Sequence, residues 1–167
     1  MIIVLGAFLL MVLIFEIGVY IGKRSVYKKI GPEINVLVDD VRRFKSNFEV
    51  MCLWRNLQEN GGQIKDFLVL LQNKKVAIYG YGQIGRFIEK EMKEAGVLVD
   101  YIIDRNAKNI SSVHKVYTLD DKLPSVDCVI VTINDSFAIE QKYEADGNFC
   151  EILMVKEIIN FLLDKIK

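Results

Sequence analysis

The chain has 167 residues, which is enough for one domain of ordinary size and an appendage. It carries 22 basic and 22 acidic residues, so no net charge favours nucleic acid as a partner. Apolar residues make up 51% of the chain, and much of the excess lies in the first 22 residues. The cysteines Cys52, Cys128 and Cys150 lack metal-type spacing and His114 is the sole histidine, so we expect no metal site. Cys128 and Cys150 lie in apolar runs that predict buried strands, so we expect buried free thiols, which fit a reducing compartment.

The N-terminal segment, residues 2–22, reads "IIVLGAFLLMVLIFEIGVYIG" and contains one charged residue, Glu16. Its length and apolar character predict a transmembrane helix. Basic residues follow it and none precedes it, which predicts a single-pass membrane protein whose C-terminal part lies in the cytoplasm. A cleaved signal peptide and a buried helix of a soluble protein are the alternatives, although no basic n-region or cleavage site is visible.

The middle segment, residues 23–73, is predicted to be a juxtamembrane and helical linker. Gly31-Pro32-Glu33 predicts a break with proline in the first turn of a new helix that runs to about Glu59. A shorter helix is expected over residues 63–71. An apolar stripe on the longer helix packs either on the following domain, which we favour, or on the same helix of another subunit. The stripe comprises Ile34, Leu37, Val38, Val41, Phe44, Phe48 and Met51.

A glycine-rich loop opens the last part of the chain, residues 74–167. The strand Val76–Tyr79 is followed by Gly80-Tyr81-Gly82-Gln83-Ile84-Gly85, which matches G-x-G-x-x-G, and then by an amphipathic helix. A second strand, residues 97–103, is followed directly by an acidic residue, Asp104. This order of elements is typical of the βαβ unit that binds dinucleotides.

Each residue of the motif has a separate physical role. Gly80 allows a tight turn, Gly82 allows a pyrophosphate to approach the backbone, and Gly85 allows close packing of the helix. The helix N-terminus offers amides to phosphate, and Asp104 can accept hydrogen bonds from ribose hydroxyls. Arg105 can stack on adenine or accept a 2′-phosphate, so NAD is only slightly preferred over NADP. The alternative is that the glycines only form a turn and Asp104 only caps a loop.

Further strands are expected over residues 116–117, 127–132 and 150–155, with helices over residues 136–145 and 157–166. The sequence therefore predicts an α/β fold with a Rossmann-like, mostly parallel five-stranded sheet. Thr132 lies at the carboxyl end of a buried strand, where such folds bind ligands. The residues expected to contact a ligand are Gly80, Gly82, Gln83, Ile84, Gly85, Asp104, Arg105 and Thr132.

Several stretches resemble a bacterial family of small Rossmann-like domains labelled nucleoside-diphosphate-sugar epimerase-like, which belong to cell-surface polysaccharide loci. They are "CLWRNLQENGGQIKDFL", "KKVAIYGYGQIG", "VDYIIDRNA", "VYTLDDKLPSVDCVIVT" and "ILMVKEII". Similar domains open some hexapeptide-repeat sugar acetyltransferases, where the glycine loop contacts a nucleotide sugar. The resemblance implies that Gly80, Gly82, Gly85 and Asp104 contact the ligand. It transfers no catalytic residue, because no tyrosine here has a lysine four residues later.

These features together predict a membrane-anchored nucleotide-binding module that serves cell-surface polysaccharide biosynthesis. Its ligand would be NAD(P) or a nucleotide sugar, and its partners would be another copy of the chain or a glycan-biosynthesis protein. One alternative is an NAD(P)-dependent oxidoreductase or epimerase completed by a partner subunit. The other is a structural domain with no ligand.

Overall fold

The computed structural model describes the backbone of residues 2–166 and the side chains of residues 16–166. The chain divides into two compact units, residues 1–43 and residues 44–167. The first unit contains most of a long helix, α1 (Ile2–Glu59), and the remainder of α1 belongs to the second. The second unit therefore begins well before Lys74, where the sequence places the start of the Rossmann-like domain.

The predicted break at Gly31 and Pro32 is wrong, because α1 continues through Pro32. Proline lacks an amide hydrogen and crowds the preceding turn, which costs a helix about 3 kcal/mol. Extending a helix that already exists adds one hydrogen bond per residue, whereas starting a new one is costly. A long helix can therefore pass through a single proline that the local sequence marks as a boundary.

No helix in residues 16–166 combines the length and the apolar character needed to cross a membrane. The predicted span, residues 2–22, falls mainly on residues 2–15, whose side chains lie outside the described part of the structure.

The sheet has five parallel strands, as the sequence predicts, and the structure gives their order as β3-β2-β1-β4-β5. The strands are β1 (Val76–Tyr79), β2 (Val99–Ile103), β3 (Lys115–Tyr117), β4 (Cys128–Val131) and β5 (Glu151–Met154). The helices that follow α1 are α2 (Lys65–Leu68), α3 (Gln83–Glu94), α4 (Phe137–Ala145) and α5 (Val155–Ile166). Short 3-10 turns lie at Val69–Leu71 and Ala107–Asn109.

Successive residues of each strand point to opposite faces of the sheet, so two apolar layers form. Ile78 of β1 faces a core built from the end of α1 with α2, α3 and α5, whereas Ala77 faces a second core that includes α4. In the first core, Trp54 of α1 lies edge-on to Phe87 of α3, with ring centroids 6.4 Å apart. The segment before the sheet is therefore part of the α/β core.

The residues at the C-terminal end of the apolar stripe on α1 are not buried in this core. Phe44 and Phe48 are exposed, and Met51 is only partly covered. The residues of the same helix that enter the core are Val50, Trp54 and Leu57. The prediction that the stripe packs on the following domain is therefore wrong for these three residues, because another face of the helix makes that contact.

Candidate nucleotide-binding site

The glycine loop lies where the order of strands in the sheet reverses. From β1 the chain continues to β2 and β3 on one side, and then crosses to β4 and β5 on the other. The carboxyl ends of β1 and β4 are adjacent, since Tyr79 pairs with Val131. Open α/β sheets bind their ligands in the crevice formed at this point.

Two of the three glycines are required by the backbone itself. Gly80 has φ of +90°, and a Cβ there would lie 2.6 Å from Cγ2 of Ile133 and 2.9 Å from Oγ1 of Thr132. A Cβ on Gly85 would lie 2.3 Å from the carbonyl oxygen of Gly80. The roles predicted for Gly80 and Gly85 therefore agree with the structure: one makes the turn, and the other packs the helix closely against it.

Gly82 differs because the space that a side chain would occupy is open. A Cβ at this position would meet no atom within 4 Å. Gly82 is the N-cap of α3, has extended backbone geometry and makes no side-chain capping bond. The first hydrogen bond of the helix runs from the amide of Arg86 to the carbonyl of Gly82, 3.2 Å apart. The amides of the first turn therefore have no side-chain cap and lie at the positive end of the helix dipole, beside the open space at Gly82.

Gln83 and Ile84 form that first turn together with Gly85. The side chain of Ile84 is buried in the core, whereas Gln83 is exposed. Any contact between Ile84 and an anion would therefore use the backbone amide rather than the side chain. The arrangement is the type of site in which helix N-termini bind phosphate groups.

Asp104 directly follows β2 and accepts a hydrogen bond from the glycine loop. Its Oδ2 accepts a hydrogen bond from the amide of Tyr81 at 2.7 Å, and its Oδ1 accepts one from the amide of Asn106 at 2.8 Å. Each carboxylate oxygen has a second lone pair, so the group can still accept a ribose hydroxyl. Arg105 is exposed directly beside it.

Thr132 connects the end of β4 to the glycine loop. Its hydroxyl is buried and donates to the carbonyl of Gly80, and it also lies 3.2 Å from the carbonyl of Tyr79. This bond holds the turn at Gly80 that leads into α3. Ligand contact by Thr132 stays a prediction, and the structure shows in addition that the residue supports the loop.

The structure also places a polar cluster beside the loop that the sequence did not indicate. The hydroxyl of Tyr81 donates to Glu89 of α3, and Nε2 of His114 lies 2.9 Å from Oε1 of the same glutamate. Burial, followed by the bond to Glu89, raises the pKa of Tyr81. The eight-residue spacing of Tyr81 and Glu89 could have suggested the pair, but nothing in the sequence indicated His114. The cluster ties the connection between β2 and β3 to α3.

In residues 16–166, no group of three or more His, Cys, Asp or Glu side chains could hold a metal ion. Cys128 is buried, as predicted, whereas Cys150 is only half-buried and Cys52 is exposed. Burial raises the pKa of Cys128 to about 12 and that of Cys150 to about 11. Both thiols are therefore protonated at neutral pH.

The five-stranded parallel sheet, the switch point and the open glycine loop define a Rossmann-like module of the dinucleotide-binding class. Residues 70–156, just over half of the chain, match the family model described as acetohydroxy acid isomeroreductase, NADPH-binding domain. The chain belongs to this family. No curated protein and no solved structure matches the chain significantly.

Proposed function

We propose that the chain binds NADPH through the loop Gly80–Gly85, with the pyrophosphate on the amides that begin α3. The observation that carries this proposal is the open space at Gly82, next to an uncapped helix N-terminus at the switch point of the sheet. A phosphate at this position would meet backbone donors and no side chain. The family description supports the same cofactor class.

Arg105 is the residue we assign to the 2′-phosphate that distinguishes NADPH from NADH. The carboxylate of Asp104 is held by the amides of Tyr81 and Asn106, which fixes it at the end of β2. In this position it suits the ribose, while the adjacent guanidinium offers the positive charge and paired donors that suit a phosphate. The sequence alone slightly preferred NAD, but the match to an NADPH-binding domain, together with an exposed arginine directly after the acidic residue, favours NADPH over NADH.

The test compares binding of NADPH and NADH to the purified full chain by isothermal titration calorimetry. We expect Arg105→Ala to weaken NADPH binding by roughly tenfold to a hundredfold, since a hydrogen bond to a charged group contributes about 1.5–3 kcal/mol. NADH binding should change little. Lys108→Ala is the matched control, because Lys108 is an exposed basic residue in the same connection. Equal losses for both cofactors would refute the assignment of Arg105.

We further propose that residues 2–22 anchor this module to a membrane, with the Rossmann-like unit in the cytoplasm. The support is the sequence alone: a 21-residue stretch with one charge, followed by Lys23 and Arg24. Membrane fractions extracted with alkaline carbonate should retain the full chain and release a variant lacking residues 2–22. Recovery of the full chain in the soluble fraction would refute the anchor.

A nucleotide sugar is the second candidate ligand, supported by the resemblance to domains of polysaccharide loci. The same phosphate-binding amides would hold its diphosphate, so the loop alone does not discriminate. A thermal-shift comparison of NADPH, NADH and UDP-sugars distinguishes the two ligand classes. Stabilisation by a UDP-sugar alone would refute NADPH binding and would support a role for the module in cell-surface polysaccharide assembly.

A further inference from the structure

The long helix α1 carries a heptad repeat that a break at Gly31 would have divided. Its apolar residues follow one another at strictly alternating steps of three and four: Tyr27, Ile30, Ile34, Leu37, Val41, Phe44, Phe48 and Met51. Because α1 is continuous through Pro32, the repeat covers about three and a half heptads rather than two and a half. This length is sufficient for a coiled coil.

We name these eight residues the seam, and all of them are exposed. Tyr27, Ile34, Val41 and Phe48 occupy heptad position a, and the other four occupy position d. In residues 44–59, the side chains that enter the α/β core are Val50, Trp54 and Leu57, which occupy positions c and g. Within residues 44–59, the seam residues Phe44, Phe48 and Met51 therefore lie on a different face of the helix from the core-facing residues. Pro32 occupies position f, on the side opposite the seam.

We propose that the seam pairs with the seam of a second copy of this chain, as a parallel, in-register coiled coil. Position g of one helix lies beside position e of the next heptad of its partner in a parallel pair. Asp40 is at position g and Lys45 at position e, so two opposite-charge contacts would form across the dimer. An antiparallel pair would place like positions together and would lose these contacts. Asp40 also contacts Arg43 of its own chain.

The residues at the centre of the seam favour a two-stranded assembly. Ile34 and Val41 are β-branched and occupy position a, and Leu37 between them occupies position d, which is the combination found in parallel dimers. A second copy supplies an identical apolar surface of the same length. The proposal concerns α1 alone and does not depend on which ligand the glycine loop binds.

Cysteine crosslinking of the full chain tests the seam, with Cys52→Ser as background because Cys52 is the exposed native thiol. Ile34→Cys and Val41→Cys, each made separately, should form disulfide-linked dimers under copper-catalysed air oxidation. Val36→Cys is the matched control, since Val36 and Val41 are both 60% exposed but Val36 occupies position c. We expect at least about fivefold more dimer from the two seam variants, because a disulfide needs Cα atoms about 6 Å apart.

Crosslinking at both Ile34 and Val41 requires parallel helices. In an antiparallel pair, at most one of these two positions can lie beside the same position of the second chain. Equal crosslinking of all three variants, or of none, would overturn the proposal. A second measurement uses charge: Asp40→Lys and Lys45→Asp should each dimerise less than the wild type in sedimentation experiments. Mixing the two variants should restore the dimer, because each charge then meets its opposite. Failure of the mixture to recover would refute the parallel register.

Discussion

The substitution Gly82→Val separates the ligand-binding role of the glycine loop from its structural role. The Cβ of the new residue would meet no atom within 4 Å, and Gly82 has φ of −77°, which other residues adopt readily. We therefore expect the ligand-free protein to change in stability by less than about 1 kcal/mol. The added methyl groups would occupy the space through which a phosphate reaches the amides of α3.

The expected loss of stabilisation by the ligand follows from the thermodynamic linkage between ligand binding and unfolding. A ligand present at 100 times its Kd adds about 2.7 kcal/mol to the free energy of unfolding. If Gly82→Val weakens binding a hundredfold, the same ligand concentration adds only about 0.4 kcal/mol. For a chain of this size the difference of about 2.3 kcal/mol corresponds to roughly 5–9 °C in Tm.

The assay is thermal unfolding of the full chain with and without NADPH, followed by tryptophan fluorescence. Trp54 is the only tryptophan and is buried against Phe87, so its signal reports on the α/β unit. Gly85→Ala is the contrasting variant. Its Cβ would meet the carbonyl of Gly80 at 2.3 Å, so the ligand-free protein should lose about 1–3 kcal/mol or more. A full NADPH shift in Gly82→Val would refute the model of phosphate binding at this helix.

Two further predictions concern the core. Leu57→Ala should lower the free energy of unfolding by about 2–5 kcal/mol, measured by urea unfolding, because Leu57 is fully buried. The control, Leu70→Ala at an exposed site, should change that free energy by no more than about 0.5 kcal/mol. Burial raises the pKa of Tyr101 to about 12 and also raises the pKa of Tyr143. Above pH 10 the unfolded chain therefore loses protons that the folded chain retains, so the free energy of unfolding should fall as the pH rises. Tyr143→Phe should make that fall shallower by up to about 1.4 kcal/mol per pH unit, and an unchanged slope would show that the pair does not control alkaline unfolding.

Local patterns in the sequence were sufficient to predict the α/β unit from Val76 onward. Alternating apolar strands and amphipathic helices led to five parallel strands, and the spacing of Gly80, Gly82 and Gly85 led to a strand–loop–helix turn. These features depend on residues close together in the chain, because backbone conformation and helix periodicity are local properties. The turn at Gly80 and the close helix packing at Gly85 were predicted in the same way, and phosphate approach at Gly82 stays a prediction.

Contacts between distant parts of the chain were decided only by the tertiary structure. The bond from Thr132 to Gly80, the bond from Tyr81 to Asp104 and the pair of His114 with Glu89 join segments that no periodicity relates. The same holds for the choice of Val50, Trp54 and Leu57 as the core-facing residues of α1. The proline at position 32 predicted a break because proline removes one backbone hydrogen bond from a helix. The helix continues through Pro32 because helix formation is cooperative and many other hydrogen bonds are kept. The sequence thus determined the elements and the loop, and packing determined which side chains support the loop and which face of α1 stays open.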